Sequence, residues 1–134
     1  MTAEEITYAL LCADAALLAV VPAARIVPGV IPQATALPAI AYGHVSSVEQ
    51  TPLAGSPWRL VTSRMQVTVA AGSYAAKKDL LTLVRKACNG KRGTYAGALV
   101  LNVRRDTVGP DIDSEPDRIY TQPIDFFVQW REAV

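Results

Sequence analysis

The side chains of this sequence with chemistry to offer are one histidine, two cysteines, a run of alternating carboxylates and a cluster of lysines and arginines. His44 falls in an expected strand, on a face shared with Ile40 and Tyr42. A lone histidine in that setting is more often packed or hydrogen-bonded than a ligand. Cys12 and Cys88 have no cysteine or histidine at zinc-ligand spacing. Both fall in expected helices among apolar neighbours, where a thiol behaves as a small hydrophobe and stays reduced. No Gly-x-Ser-x-Gly elbow is present, although a Ser-His-Asp set needs no adjacency in sequence and stays open. Gly90, Gly93 and Gly97 do not make a phosphate loop, because no Gly-Lys-Ser/Thr follows a strand. The sequence therefore assigns no catalytic residue, no metal ligand and no cofactor.

The charged residues allow two readings each. Asp111, Asp113, Glu115 and Asp117 alternate, and carboxylate oxygens suit calcium. The glycine and terminal glutamate of an EF-hand are missing, so a solvated loop, or an acidic contact for a basic neighbour, fits better. Lys77, Lys78, Arg85, Lys86, Lys91 and Arg92 lie on one expected helix and its exit. They make either the wet side of an amphipathic helix or a patch close to nucleic acid or an interface. Basic and acidic side chains number 13 and 12, a balance unlike that of a chain devoted to phosphates. No base-reading helix is visible. Trp58, between Pro57 and Arg59, and Phe127, opposite in phase to Phe126, Val128 and Trp130, are hard to bury. Such aromatics are enriched at interfaces, unless a loop folds over them.

The elements that must position these residues follow from local signals. A chain of 134 residues with 51% hydrophobic and 19% charged side chains can fold as one domain spanning 1–134 without disulfides or metal, burying about 70% of its unfolded surface. Thr2 and Glu5 form a capping box for a helix over residues 3–20, with Ile6, Leu10, Ala13 and Leu17 at helical spacing and Pro22 as its stop. Glu4 and Glu5 stand where a signal peptide would be basic, and Asp14, Pro22 and Arg25 keep the apolar stretch shorter than a membrane span. A soluble cytoplasmic product without a membrane partner is expected. Arg25 to Pro32 reads as an extended piece around a Pro28-Gly29 turn. Strands are expected over 39–48, 59–71, 98–105 and 118–131, separated in part by loops over 49–58 and 106–117. Met65, Val67 and Val69 alternate with polar residues, and Leu99, Leu101 and Val103 are placed on one face. Ser73 caps a helix over 74–88, closed by Asn89-Gly90. The expected fold is two-layer α+β: an antiparallel four-stranded sheet with two helices packed on one face.

The whole chain resembles the tail-completion family of siphophages and prophages, and more distantly the tail terminators. Three stretches carry the resemblance. They are Glu4-Glu5-Ile6-Thr7-Tyr8-Ala9-Leu10-Leu11 with Ala15-Ala16-Leu17; Arg25-Ile26-Val27-Pro28-Gly29-Val30-Ile31-Pro32-Gln33 with Leu37-Pro38-Ala39-Ile40-Ala41-Tyr42; and Arg64-Met65-Gln66-Val67 followed by Tyr74-Ala75 and Leu80, Leu81, Val84. These are structural residues, so the resemblance carries over no active site. It implies a bacteriophage structural protein, not an enzyme. Such a subunit forms a ring, commonly hexameric, that caps the tail tube, ends its polymerisation and presents the head–tail joining surface. The implied partners are other copies of the chain, the major tail tube protein and head–tail connector proteins, with at most non-specific proximity to DNA. The implied location is the host cytoplasm during assembly, then the head-proximal end of the virion tail. A connector stopper is the alternative within virion assembly, and a small-ligand or enzymatic α+β domain the alternative outside it. On this reading Phe127, flanked by Asp125, Gln129 and Arg131, and Trp58 are candidates for a subunit or partner interface. The Lys77 to Arg92 cluster is the candidate for a tail-lumen, DNA-proximal patch.

Overall fold

The computed structural model describes residues 2–50 and 55–133. Thr2 caps the first helix as its sequence implies, its Oγ1 accepting from the Glu5 N–H at 3.2 Å. The expected single helix is two: α1, Ala3–Cys12, and α2, Ala15–Val20. The break lies at Asp14, whose extended backbone (φ −94°, ψ 111°) lets its carboxylate accept from the Leu17 N–H at 3.0 Å. A short acidic side chain competes with the helix for its own backbone and so restarts it. The apolar stripe survives the break, since Ile6, Leu10, Leu11, Leu17 and Val21 are all buried. The third helix, α3, is Tyr74–Cys88, with Ser73 Oγ accepting from the Ala76 N–H. Among the described residues no helix is long and apolar enough to cross a membrane.

The expectation of four antiparallel strands and two helices is overturned. Among the described residues the chain forms a seven-stranded mixed sheet curled into a half-barrel, with three α-helices. The strands are β1 Ile26–Pro28, β2 Ala39–Gln50, β3 Trp58–Ala71, β4 Gly93–Tyr95, β5 Ala98–Val108, β6 Ile112–Ser114 and β7 Ile119–Ala133. Their order is β1-β2-β3-β7-β5-β4, with β6 on β7; β1 runs parallel to β2 and every other pair is antiparallel. The three added strands have three residues each, too few to show alternation. Their partners create them. β4 and β5 meet through the two-residue turn Ala96-Gly97, both with positive φ (51° and 79°), the form that matches strand twist.

The 106–117 region, expected as a loop, holds the end of β5 and the whole of β6. The two strands lie along the same edge of β7, separated at Gly109. There the Gly109 N–H donates to the Pro123 carbonyl at 2.8 Å, and a Cβ on Gly109 would sit 2.5 Å from Pro123 Cγ, so no larger residue fits without displacement. Of the 49–58 region, Gln50 ends β2 and Trp58 opens β3, while residues 51–54 lie outside the described residues.

Register decides what is buried. Met65 faces Phe126 and Val67 faces Ile124, and these side chains meet Leu80, Val84, Ala87 and Cys88 of α3 and the stripe of α1 and α2 in one core. In β5 a bulge between Val100 and Asn102 shifts the alternation by one residue. Ala98, Val100 and Val103 are therefore buried, and Leu101, expected beside Val103, is 43% exposed.

Both cysteines are free. Burial, and next the Asp14 carboxylate, push the Cys88 thiol up to about 12. Because the thiolate is the reactive form, a thiol reagent added to native protein is expected to label Cys12, which is half-buried, and to reach Cys88 only after denaturant. Mass spectrometry of the labelled chain checks this, and equal native labelling of both would contradict it.

Candidate assembly surface

The side of the sheet turned away from the helices carries the candidate interface. Register puts Leu60 beside Arg131, Thr62 beside Gln129, Arg64 beside Phe127 and Gln66 beside Asp125, with Trp58 opening the same strand. A cation lies over each of the two aromatics. The Arg104 guanidinium is 4.7 Å from the Phe127 ring centroid and that of Arg131 is 4.3 Å from the Trp58 centroid. Trp58 is 38% exposed and Phe127 half-buried. Asp125 is not an open rim residue. It is 7% exposed and held by Arg64, whose Nε and Nη2 lie 2.9 and 2.8 Å from its Oδ2. Arg64 also reaches Asp106 at 3.3 Å. On the opposite, helix-bearing side of the same strand, Arg59 pairs with Glu132 at 2.6 Å and Glu49 at 3.5 Å. Arg131 Nε is buried with no hydrogen-bond partner among the described residues. Farther along the sheet, an apolar hollow of about 250 Å³ lies between Ile31, Pro32, Leu37, Ala70 and Ile119.

The basic cluster separates into two groups. Lys77 is fully covered, and its Nζ lies 2.7 Å from Asp111 and 2.9 Å from Asp113. Lys78 Nζ lies 2.8 Å from Asp111 and 2.6 Å from Gln122 Oε1. Asp111 and Asp113 are thus the counter-charge of α3, and Asp113 ties β6 to the helix, while Asp117 accepts from Ser114 Oγ at 2.9 Å. Burial alone would lower the Lys77 pKa, but the hydrogen bonds and charges of Asp111 and Asp113 outweigh it and the value is raised. The same bonds, Lys77 first and Lys78 second, hold Asp111 down at about 2. The sequence missed Lys77 because a lysine stem is apolar for four carbons and can run inward when its ammonium finds carboxylates. Arg85, Lys86, Lys91 and Arg92 remain exposed. A fifth residue, Arg105, joins their edge, because its N–H donates to Asn89 Oδ1 at 3.0 Å and draws β5 to the exit of α3.

His44 works as a structural tie. Its Nε2 lies 2.6 Å from Ser47 Oγ, which is 2.8 Å from Ser63 Oγ, which in turn accepts from Trp130 Nε1 at 3.1 Å. The chain of bonds spans the β2 bulge between His44 and Ser46 and anchors it to the core. Among the described residues, no group of three or more His, Cys, Asp or Glu side chains is placed to hold a metal ion.

No curated protein matches the chain. The fold is similar to that of a chain in the solved structure "Virion of native gene transfer agent (GTA) particle", with a TM-score of 0.77 and 16% identity, covering 97% of this chain and 95% of that one. Residues 7–122 match the family model described as tail completion protein gp17. With the match running through most of the length, from α1 into β7, the chain belongs to the tail completion protein gp17 family, a structural component of phage tail assembly.

Proposed function

We propose that the protein caps the tail tube, stops its polymerisation and presents the surface that joins the filled head, acting as a ring of identical subunits and not as an enzyme. Family membership supports the tail role, and one structural observation carries the finer reading. The sheet face with Trp58, Phe127, Gln129 and Arg131 is left uncovered by the helices, yet it holds aromatics already stacked by arginines. Rigid aromatic–Arg pairs on an open face are the usual anchors of a protein interface. The partners in this reading are other copies of the chain, the major tail tube protein and the head–tail connector. The chain passes from the host cytoplasm into the head-proximal end of the tail.

Electron microscopy of particles assembled without the protein tests the reading. Over-long tubes are the expected result. Tubes of normal length that fail to join heads would replace capping with the role of a connector stopper.

A further inference from the structure

The outer edge of β2 is open for most of its length. β1 pairs only with Ile40, Ala41 and Tyr42, so His44 to Gln50, all exposed, have β3 on one side and no strand on the other among the described residues. The Tyr42 carbonyl accepts from the Gly29 N–H on the β1 side. Alternation from there, through the bulge at His44/Ser46, turns the backbone groups of Ser47 and Glu49 away from β3. Exposed edges are normally blunted by charge (lysine above all), proline, a bulge or cover, and here the bulge stands at the start of the open stretch. The segment His-Val-Ser-Ser-Val-Glu-Gln contains neither lysine nor proline, and its Val45 and Val48 are 50% and 68% exposed.

The opposite side of the sheet complements it. β4 covers β5 only at Ala98 to Val100. Asn89 and Gly90 then occupy the Arg105 N–H and the Val103 carbonyl, and beyond Arg105 the β5 edge has no strand against it among the described residues and lies beside a hollow of about 220 Å³ lined by Leu81, Arg85, Val108 and Ile124. The charges are opposite. Glu49 sits on the β2 edge, its carboxylate 3.5 Å from Arg59, and Glu4 lines the same hollow as His44, Ser47 and Glu132. Arg85, Lys86, Arg92 and Arg105 are exposed on the β5 side. By register, Glu49 opposes Val61 and Arg105 opposes Phe126, so both lie on the helix-bearing side of the sheet and would meet if two sheets continued into one another.

We infer that subunits join head to tail by extending their sheets, the β2 edge of one copy adding to the β5 edge of the next, with Glu49 against Arg105 and Arg85. Two different edges of one chain form a heterologous contact, the kind that closes into rings, and strand addition supplies its main-chain hydrogen bonds. The inference rests on the ring reading given above.

Oxidative cross-linking of the full chain tests it. The variant carries Glu49→Cys and Arg105→Cys with Cys12→Ser, while Cys88 is sealed in the core and stays. A ladder of disulfide-linked oligomers is expected from the double-cysteine chain, and dimers alone from a mixture of the two single-cysteine chains. In parallel, Glu49→Arg and Arg105→Glu should each weaken self-association about tenfold by setting like charges against each other, and their combination should restore it. Oligomers seen by light scattering without a ladder overturn edge pairing and leave the ring intact. A chain monomeric throughout, with no ladder, also overturns it, and the tube-length experiment then judges capping by itself. If Arg105→Glu leaves association unchanged but weakens binding of duplex DNA, the basic edge faces nucleic acid and the inference falls.

Discussion

A Phe127→Asp chain is expected to fold as its parent does and to fail at the head-proximal end of the tail, leaving over-long tubes when it replaces the native protein. The neighbouring Phe126→Asp chain is expected not to fold. The two residues are adjacent and chemically identical, and the pleat alone separates them. Phe126 is 2% exposed and opposes Met65 inside the core. A carboxylate there would be buried without a partner, a cost of several kcal/mol or about the whole stability of a small domain. Phe127 opposes Arg64 and lies under Arg104, so a carboxylate at 127 is received by two guanidinium groups. What it removes is the aromatic anchor, and truncating such an anchor costs an interface about 2 kcal/mol or more. Circular dichroism establishes folding and micrographs establish tube length. An unfolded Phe127→Asp chain would place Phe127 in the core, and normal tubes would move the partner surface elsewhere.

Lys77→Ala is expected to destabilise the domain by about 3 kcal/mol in urea denaturation, and Lys77→Met by only about 1 kcal/mol. The stem of Lys77 is fully buried, and the three methylenes beyond Cβ, at about 0.8 kcal/mol each, account for most of the alanine effect. The ion pairs add less, because Asp111 and Asp113 remain 39% and 25% exposed and a water-screened pair is worth about 1 kcal/mol or less. Methionine keeps the stem and loses only the charge. The clamp also sets a pH dependence. Asp111 is depressed from 3.8 to about 2 in the folded chain, so its contribution is complete above its unfolded value and is lost as pH falls from about 4 toward 2. The raised Lys77 pKa has the mirror effect: its contribution is complete below 10.5 and fades as pH rises through the higher folded value. Melting temperatures across the acid range check this. A Lys77→Met chain with the same acid slope as the parent would show that Lys78 alone holds Asp111.

Several features of this protein were fixed by neighbours in the chain. Thr2 and Ser73 cap their helices because each needs only an N–H three residues on. The buried stripe of α3 and the alternation at Met65, Val67, Val69 and at Ile124, Phe126, Val128, Trp130 follow from helical and strand periods. The family resemblance was legible for the same reason, since it rests on capping, turn and stripe residues that keep their spacing. Other features had no local cause. β1, β4 and β6 are strands only because a longer strand lies beside each. The bulge after Val100 belongs to the pairing of β5 with β7 and carries Leu101 out of the core. Lys77 faces inward because Asp111 and Asp113, more than thirty residues away, wait there with oxygens 2.7 and 2.9 Å from its ammonium. A periodic pattern states which side of an element is apolar. Partner, register and the pairing of charges come from residues distant in sequence, and only the folded chain brings them within reach.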